Sequence, residues 1–162
     1  MTQGNEVQVV EFILGENKFA INLFDVREIV ESIKITPLPH AASHIKGIID
    51  LRGEITTVID LKKVLQISQN TSESQTDSRF IVLDDSVTST KMGILVDDVT
   101  SVLTVPVSDI DQTAQTRDDT SFILGIIKKS SGDLNDSRKE LLIWIDIRGL
   151  LLDSGEKTSY HH

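Results

Sequence analysis

Apolar and polar residues alternate along the chain in short runs, which is the pattern of β-strands with one buried face. The stretch VQVVEFILGENKFAINL, residues 7–23, predicts a hairpin whose turn is supplied by residues 15–18. The alternating apolar residues are Val10, Phe12 and Leu14 on the first strand and Phe19, Ile21 and Leu23 on the second.

The next segment, DVREIVES, is ambiguous. Val26, Ile29 and Val30 are at helical spacing, and Asp25 is suited to cap a short helix. An irregular strand is the alternative. The following stretch TPLPHAAS is predicted to be a connector, because each proline disfavours helix at the residue before it.

A second hairpin is predicted from GIIDL and EITTVI, which meet at Arg52 and Gly53. Gly53 can adopt the positive φ that a tight turn requires. Asp60 ends the second strand, and its carboxylate can cap a short helix, LKKVLQ.

The rest of the chain continues the strand pattern between polar loops. The segment 67–78 has no core residues and predicts a mobile loop, and 111–121 predicts another exposed loop. The remaining predicted strands lie in RFIVLDD (79–85), KMGILVDDVTSVLTV (91–105) and a last hairpin made by FILGIIKK (122–129) and KELLIWIDI (139–147).

A weak internal repeat links the second and the last of the predicted hairpins. VIDLKKVL at 58–65 matches WIDIRGLL at 144–151, and each follows a Gly-Ile-Ile run. Many short strands with turn signals, and only short helices, favour two lobes on one plan, each a small β-barrel.

Composition excludes several classes of function. The 162 residues suit one domain or two small lobes, and no cysteine is present for disulfides, thiolate metal sites or catalysis. The net charge of −9 and the lack of a basic patch disfavour nucleic acid and anionic lipid as partners. No signal peptide or long apolar run is found, which favours the cytoplasm and no direct membrane insertion.

No catalytic motif is present. The phosphate-binding glycine loops and the GxSxG elbow are missing. The paired aspartates are better explained as turns and strand ends, and Asp60 and Asp146 as helix caps. His40 and His44 would share one face of a helix, but Pro39 precedes them and no third ligand is nearby. We expect no enzyme, no metal and no cofactor; a small metal-dependent hydrolase using His40 and His44 is the alternative from another class.

Arg52 at the hairpin tip is the candidate for recognition. A charged residue there is usually only solvated. Glu28, however, lies in the short apolar stretch before it, and an Arg-Glu pair at the rim of an apolar groove would give a specific polar contact.

IKGIIDLRGEITTVIDL resembles the signature of the CheW family of chemotaxis coupling proteins, which is a strand, an Asn-Leu-Arg-Gly-type turn and a strand ending in Val-Asp-Leu. FAINLFDVREIVE, KMGILVDDVTSVLTV and the closing FILGIIKK…ELLIWIDIRGLL are similar to other parts of the family, in order and spacing. The resemblance runs from about Val7 to Leu152. It implies a mainly β fold of two packed five-stranded β-barrel lobes around a shared apolar interior, with a few short helices and no catalysis.

The resemblance also implies partners. Such adaptors couple the cytoplasmic tips of chemoreceptors to the regulatory domain of the histidine kinase CheA, in membrane-attached arrays. Valines would offer an apolar face to receptor helices, Arg52 and Glu28 would fix register, and the glycines would allow tight turns or close approach. The coupling surface carried over to this sequence is Val26, Glu28, Gly47, Arg52, Gly53, Val99 and Val102.

Two residues depart from the family pattern. Asp50 stands where asparagine is frequent and could draw Arg52 into a local ion pair. Asp98 stands where glycine is frequent and could narrow which receptor fits. The polar loop near 128–139 is longer than usual and could change contacts at one end.

These observations define one expected domain over residues 7–152, with flexible termini at 1–6 and 153–162. The initial methionine favours a complete protein, and the short segment after Leu152 leaves no room for a receiver domain. A coupling module of another signalling array is the alternative within the family. Unpaired sheet edges could also allow weak self-association.

Overall fold

A computed structural model describes residues 5–31, 33–67, 78–112, 122–130 and 139–151 of the chain. Within these ranges eleven strands form two sheets, and the helical segments are all short. The helical segments are the 3₁₀ turns Leu23–Asp25 and Val107–Asp109, α1 (Leu61–Val64) and α2 (residues 147–151). The strands are β1 (Glu6–Leu14), β2 (Asn17–Asn22), β3 (Val26–Glu31), β4 (Ile45–Leu51), β5 (Glu54–Asp60), β6 (Arg79–Leu83), β7 (Met92–Val96), β8 (Asp98–Pro106), β9 (Ile110–Asp111), β10 (Ile123–Ser130) and β11 (Lys139–Ile145).

The first predicted hairpin is confirmed, but its turn is shorter than expected. β1 and β2 pair antiparallel, with Leu14 opposite Asn17, so only Gly15 and Glu16 connect them. Gly15 takes a φ of 62°, which glycine adopts at no steric cost. Asn17 and Lys18, assigned to the turn from the sequence, belong to β2 because they continue the hydrogen-bonded ladder.

The segment after this hairpin is a strand, so the helical alternative for DVREIVES is wrong. β3 pairs antiparallel with β6, and its residues alternate between half-buried and exposed. Its β-branched residues suit this pleated surface. Asp25 caps nothing here, because it ends the preceding 3₁₀ turn.

The two sheets confirm the mainly β, two-lobed fold. Sheet A has the order β8-β1-β2-β11-β10-β9, and sheet B has the order β3-β6-β7-β5-β4. Sheet B has the five expected strands. Sheet A has a sixth because the two-residue strand β9 pairs with the edge of β10.

The internal repeat corresponds to real structural equivalence. The β4–β5 hairpin is followed by α1, and the β10–β11 hairpin by α2. β5 pairs in parallel with β7, and β11 pairs in parallel with β2. Asp60 accepts the Lys62 amide and Asp146 accepts the Gly149 amide, so both aspartates cap their helices as predicted.

The chain exchanges strands between the sheets. β1 and β2 lie in sheet A, and β3, the next strand, crosses to sheet B. β6 and β7 lie in sheet B, and β8 crosses to sheet A. β3 and β8, hereafter the crossover strands, each form one edge of the sheet that they join. Sheet B is therefore built from the continuous run β3 to β7, whereas sheet A combines β1 and β2 with β8 to β11.

A shared core joins the lobes, as expected. It draws buried residues from both sheets and from α1 and α2, whereas smaller clusters fill each lobe separately. Burying this apolar surface is the dominant favourable term in folding. The shared core consists of Val10, Phe12, Leu14, Phe19, Ile21, Ile59, Leu61, Ile81, Leu83, Ile94, Val96, Ile145, Ile147 and Leu151.

Several expectations concern residues outside the described ranges. Most of the predicted loops 67–78 and 111–121, the centre of the 128–139 loop and the residues 153–162 fall there. β1 begins at Glu6, one residue before the expected start of the domain. Among the described residues, no helix is long and apolar enough to cross a membrane.

Candidate functional site

The turn that carries Arg52 is a two-residue connection between β4 and β5. Leu51 pairs with Glu54, and Arg52 and Gly53 both take positive φ, of 53° and 88°. Paired positive φ values match the right-handed twist of the flanking strands. The Asp50 carboxylate accepts the Gly53 amide at 2.8 Å. The suggestion that Asp50 draws Arg52 into an ion pair is therefore wrong, since that carboxylate stabilises the turn instead.

Arg52 instead forms a forked ion pair with Glu28 on β3. One guanidinium nitrogen, Nη1, donates to Glu28 Oε2 at 3.0 Å, and Nη2 donates to Oε1. The pair connects the edge strand β3 to a hairpin at the opposite end of sheet B, so the sheet must curl. The Arg-Glu pairing expected from the sequence is thus present.

This ion pair is open to solvent. The Arg52 side chain is 66% exposed and the Glu28 side chain 24%. Exposed pairs contribute only about 0–1 kcal/mol to folding, although forked geometry favours the upper end. The pair orients both side chains while leaving the guanidinium accessible.

Further charges surround the base of this turn. Glu54 and Asp85 lie within 4 Å of both Arg27 and Lys91, and the shortest of these contacts, between Lys91 and Asp85, is 2.9 Å. These side chains come from β3, β5 and the segment between β6 and β7. The Arg52 turn is therefore held at a junction of several elements of sheet B.

Gly47 belongs to the interior of the fold and not to its surface. It is buried, with a φ of 150°, and a Cβ there would lie 2.3 Å from the Thr36 carbonyl oxygen. Glycine is required because the segment at Thr36 crosses β4 at this point, as the expected close approach of backbone implied. Gly53 has no atom within 4 Å of its ideal Cβ and is required only for its turn conformation.

The three predicted valines lie on the crossover strands and differ in exposure. Val26 and Val99 occupy matching places, each just before a register shift, opposite Leu83 and Phe12. Both are half-buried and pack against the shared core. Val102 is 56% exposed, so it is the valine of the three whose side chain is available to a partner.

The predicted residues form two groups. Five of them belong to the sheet B lobe, where the ion pair joins β3 to the β4–β5 turn: Val26, Glu28, Gly47, Arg52 and Gly53. Val99 and Val102 lie on β8 in sheet A.

The equivalence of the two lobes reveals exposed apolar residues that were not predicted from the sequence. Ile29 lies three residues after Val26, as Val102 does after Val99, and it is 38% exposed. Ile55 and Leu141 occupy matching positions in the two hairpins and are 60% and 59% exposed. The alternation in VREIVE, read as a strand, would have placed Ile29 on the outer face. The exposure of Phe24, in the 3₁₀ turn before β3, had no such signal.

One buried carboxylate, Glu11 on β1, lies outside this candidate surface. Glu11 is 1% exposed and is held by Lys129 at 3.0 Å and by the Thr100 hydroxyl. Burial alone would raise the pKa of Glu11, but these hydrogen bonds and the charges of Lys129 and Lys18 outweigh it and lower the pKa. Glu11 is therefore ionised, and its contacts are structural.

His40 and His44 do not lie on a helix. They belong to the irregular connection before β4, and His40 has a φ of 62°. Burial lowers the pKa of His44. In the parts of the chain that the structure describes, no three metal-ligating side chains converge. The helical face on which a metal site was considered is absent.

Comparison with known proteins identifies the family. Residues 8–154 match the CheW-like domain. The chain belongs to the CheW family. It is 32% identical to the chemotaxis protein CheW of Thermotoga maritima, over 88% of this chain and 85% of that protein. It is 31% identical to CheW of Treponema pallidum, over 80% and 77% of the two chains.

A solved CheW structure supports the same assignment for the fold. The crystal structure of the scaffolding protein TtCheW from Thermoanaerobacter tengcongensis matches with a TM-score of 0.72 and 33% identity. The match covers 89% of this chain and 86% of TtCheW. The two-sheet architecture is thus that of a CheW scaffold.

Proposed function

We propose that this protein is a chemotaxis scaffold that couples chemoreceptors to a CheA-type histidine kinase. Membership of the CheW family and the likeness to a scaffolding protein support this function. The single structural observation that carries the proposal is the exposed Arg52–Glu28 pair. It orients the Arg52 guanidinium and leaves it accessible to a partner. The protein would act by binding alone, with no chemical step and no cofactor.

The receptor tip would bind along the crossover strands. Val102 and Ile29 provide exposed apolar contacts on β8 and β3, and helical partners commonly dock apolar side chains into such surfaces. Arg52 would supply the polar contact that sets register at the rim. Gly47 would contribute only through the fold of sheet B.

The kinase would bind elsewhere on the same molecule, through its regulatory domain. A scaffold has to hold two partners at once, so the two surfaces must not overlap. Exposed apolar surface away from the crossover strands, such as Leu141 on β11, leaves room for a second contact. The protein would work in the cytoplasm and associate with membranes through receptors.

Binding of purified partners to an Arg52 variant tests this function. We expect Arg52→Ala to weaken binding of a chemoreceptor's cytoplasmic hairpin by about tenfold, the cost typical of losing a useful polar contact at an interface. Lys128→Ala is the matched control, because it removes an exposed cation from sheet A. Equal receptor affinity for the wild type and Arg52→Ala would contradict the assigned role of Arg52, and no binding of receptor or kinase by the wild type would contradict the function.

A coupling module of another signalling array remains the alternative within the family. The same surface would then bind a helical partner that is not a chemoreceptor. Capture from the native lysate distinguishes the two: chemoreceptors and a CheA-type kinase support the proposal, and a different receptor and kinase pair supports the alternative.

A further inference from the structure

The two crossovers between the lobes are held by the same kind of contact. Asp25 immediately precedes β3, and Asp97 immediately precedes β8. Asp25 binds Arg148 of α2, and Asp97 binds Lys62 of α1 at 3.0 Å. Arg148 and Lys62 each lie two residues after the aspartate that caps their helix. The contact is therefore repeated in both halves of the fold.

The Asp25 contact joins three separate parts of the chain. Arg148 Nε donates to Asp25 Oδ1 at 2.9 Å, while its Nη1 and Nη2 donate to the Ser86 carbonyl and hydroxyl oxygens. Ser86 lies between β6 and β7, and the nearby Asp84 amide donates to the Asp25 carbonyl at 2.8 Å. The Arg148 guanidinium thus connects α2 to the segment between β6 and β7 and to the residue before β3.

The ion pair with Arg148 offsets only part of the cost of burying the Asp25 carboxylate. Asp25 is 2% exposed, and burial raises its pKa, which the hydrogen bond and charge of Arg148 only partly counter. The neighbouring carboxylates of Asp146 and Asp84 raise it further. A carboxyl whose pKa is raised on folding costs free energy when it is ionised at neutral pH. Buried ion pairs that do not stabilise a fold can instead fix one arrangement of it.

The ladder of β3 is irregular at its first residues. Val26 pairs with Leu83 and Glu28 with Val82, with a register shift between them. A register shift interrupts the regular hydrogen bonds and changes the local twist. The direction in which β3 begins therefore depends on what holds the residue before it, which is Asp25.

We propose that Asp25 and Arg148 are positioning residues for the receptor surface. Their ion pair fixes the start of β3 and so positions Glu28, with its partner Arg52, in the geometry that binds a receptor tip. This inference rests on the proposed function. Neither residue needs to touch the receptor.

The test replaces both charges by apolar residues of similar length. In Asp25→Leu/Arg148→Met no unpaired charge is left buried, so we expect the free energy of unfolding to be unchanged or higher. We expect affinity for a purified chemoreceptor hairpin to fall about three- to tenfold, an effect typical of residues that act on a site through a neighbouring element. Binding of the CheA regulatory domain should be unchanged, and amide exchange should accelerate in β3 and not in β8.

Two further variants serve as controls. Arg148→Lys keeps the charge beside Asp25 but loses the fork to Ser86, so its receptor affinity should be intermediate at wild-type stability. Lys62→Met breaks the equivalent contact at Asp97, and faster amide exchange should then appear in β8 and not in β3. Arg148→Lys also tests the proposal should the double variant fail to fold.

The outcomes separate this inference from the proposed function. Unchanged receptor affinity in the double variant, with a wild type that binds, overturns the inference alone. Loss of receptor and kinase binding together, with lower stability in both the double variant and Arg148→Lys, shows a purely structural role and also overturns it. A wild type that binds neither partner overturns the proposed function, and the inference with it.

Discussion

Substitution of Gly47 by alanine tests whether this residue acts through the fold or through a partner. The added Cβ would lie 2.3 Å from the Thr36 carbonyl oxygen and 2.7 Å from Ile35 Cγ2. The first neighbour is backbone, which cannot rotate away. The segment at Thr36 must therefore shift from β4, which threatens the two hydrogen bonds between Thr36 and Ile48, at 2.8 and 2.9 Å.

The expected cost follows from these contacts. Each lost hydrogen bond costs about 1 kcal/mol, and a non-glycine residue at this φ of 150° adds about 1–3 kcal/mol of backbone strain. We therefore expect Gly47→Ala to lower the free energy of unfolding by about 3–5 kcal/mol. That is a large share of the roughly 5–15 kcal/mol by which a domain is stable.

Urea denaturation followed by circular dichroism measures this loss. Gly93→Ala is the matched control, because the nearest atom to its ideal Cβ is 3.5 Å away and its φ is not positive. Gly53→Ala has open space around it and should cost only about 1–2 kcal/mol for its left-handed φ. A Gly47→Ala protein as stable as the wild type would refute the packing argument, and loss of receptor binding in such a protein would show that Gly47 contacts the receptor.

Three other measurements follow from the structure. Arg52→Ala should change the free energy of unfolding by less than about 1 kcal/mol, because its pair is exposed, and a larger loss in urea titrations would make Arg52 a structural strut. Lys129→Met leaves the buried Glu11 short of a partner and should cost about 1–3 kcal/mol. Because the pKa of Glu11 is lowered on folding, the stability that its ionised form provides is present at neutral pH and is lost as the pH falls through its native pKa. Lys129→Met should therefore show weaker acid dependence below about pH 5 than the wild type, and an equal dependence would contradict this pairing. Trp144 fluorescence, which reports sheet A, and circular dichroism, which reports both sheets, should give one coincident urea transition, since a shared core joins the lobes; two transitions would show that the lobes unfold separately.

The strands were predictable because their apolar alternation agrees with their packing. The residues expected to line the first hairpin, such as Phe12 and Ile21, are in the shared core. The helix considered for DVREIVES was wrong. Apolar spacing over so few residues does not distinguish a helix from a strand, and pairing with β6 makes the segment a strand. Asp60 and Asp146 were predictable because capping is local in sequence.

The candidate surface was predictable only in part. The pairing of Arg52 with Glu28 was anticipated. The alternative, a local pair with Asp50, was wrong because both terminal nitrogens of Arg52 bind Glu28. The crossing of β3 and β8 between the sheets depends on contacts between distant parts of the chain, and so does the equivalence of Ile29 and Val102. Alternation alone does not reveal which sheet a strand joins, so these features required the structure.

The ion pair between Asp25 and Arg148 illustrates the same limit. Asp25 looked like a helix cap because it precedes an apolar stretch, and Arg148 lies more than a hundred residues away. Only the crossing of β3 into sheet B brings α2 and the β6–β7 segment to the same carboxylate. The sequence shows an aspartate at position 25, but it does not show that Arg148 is its partner.

Co-sedimentation tests the central claim most directly. Membranes that contain chemoreceptors are mixed with a purified CheA-type kinase, with and without this protein, and the kinase in the pellet is measured. If the protein is a scaffold with two separate surfaces, the kinase should sediment in quantity only when the protein is added, and less of it should sediment with Arg52→Ala. Equal sedimentation of the kinase with and without the protein would contradict the account.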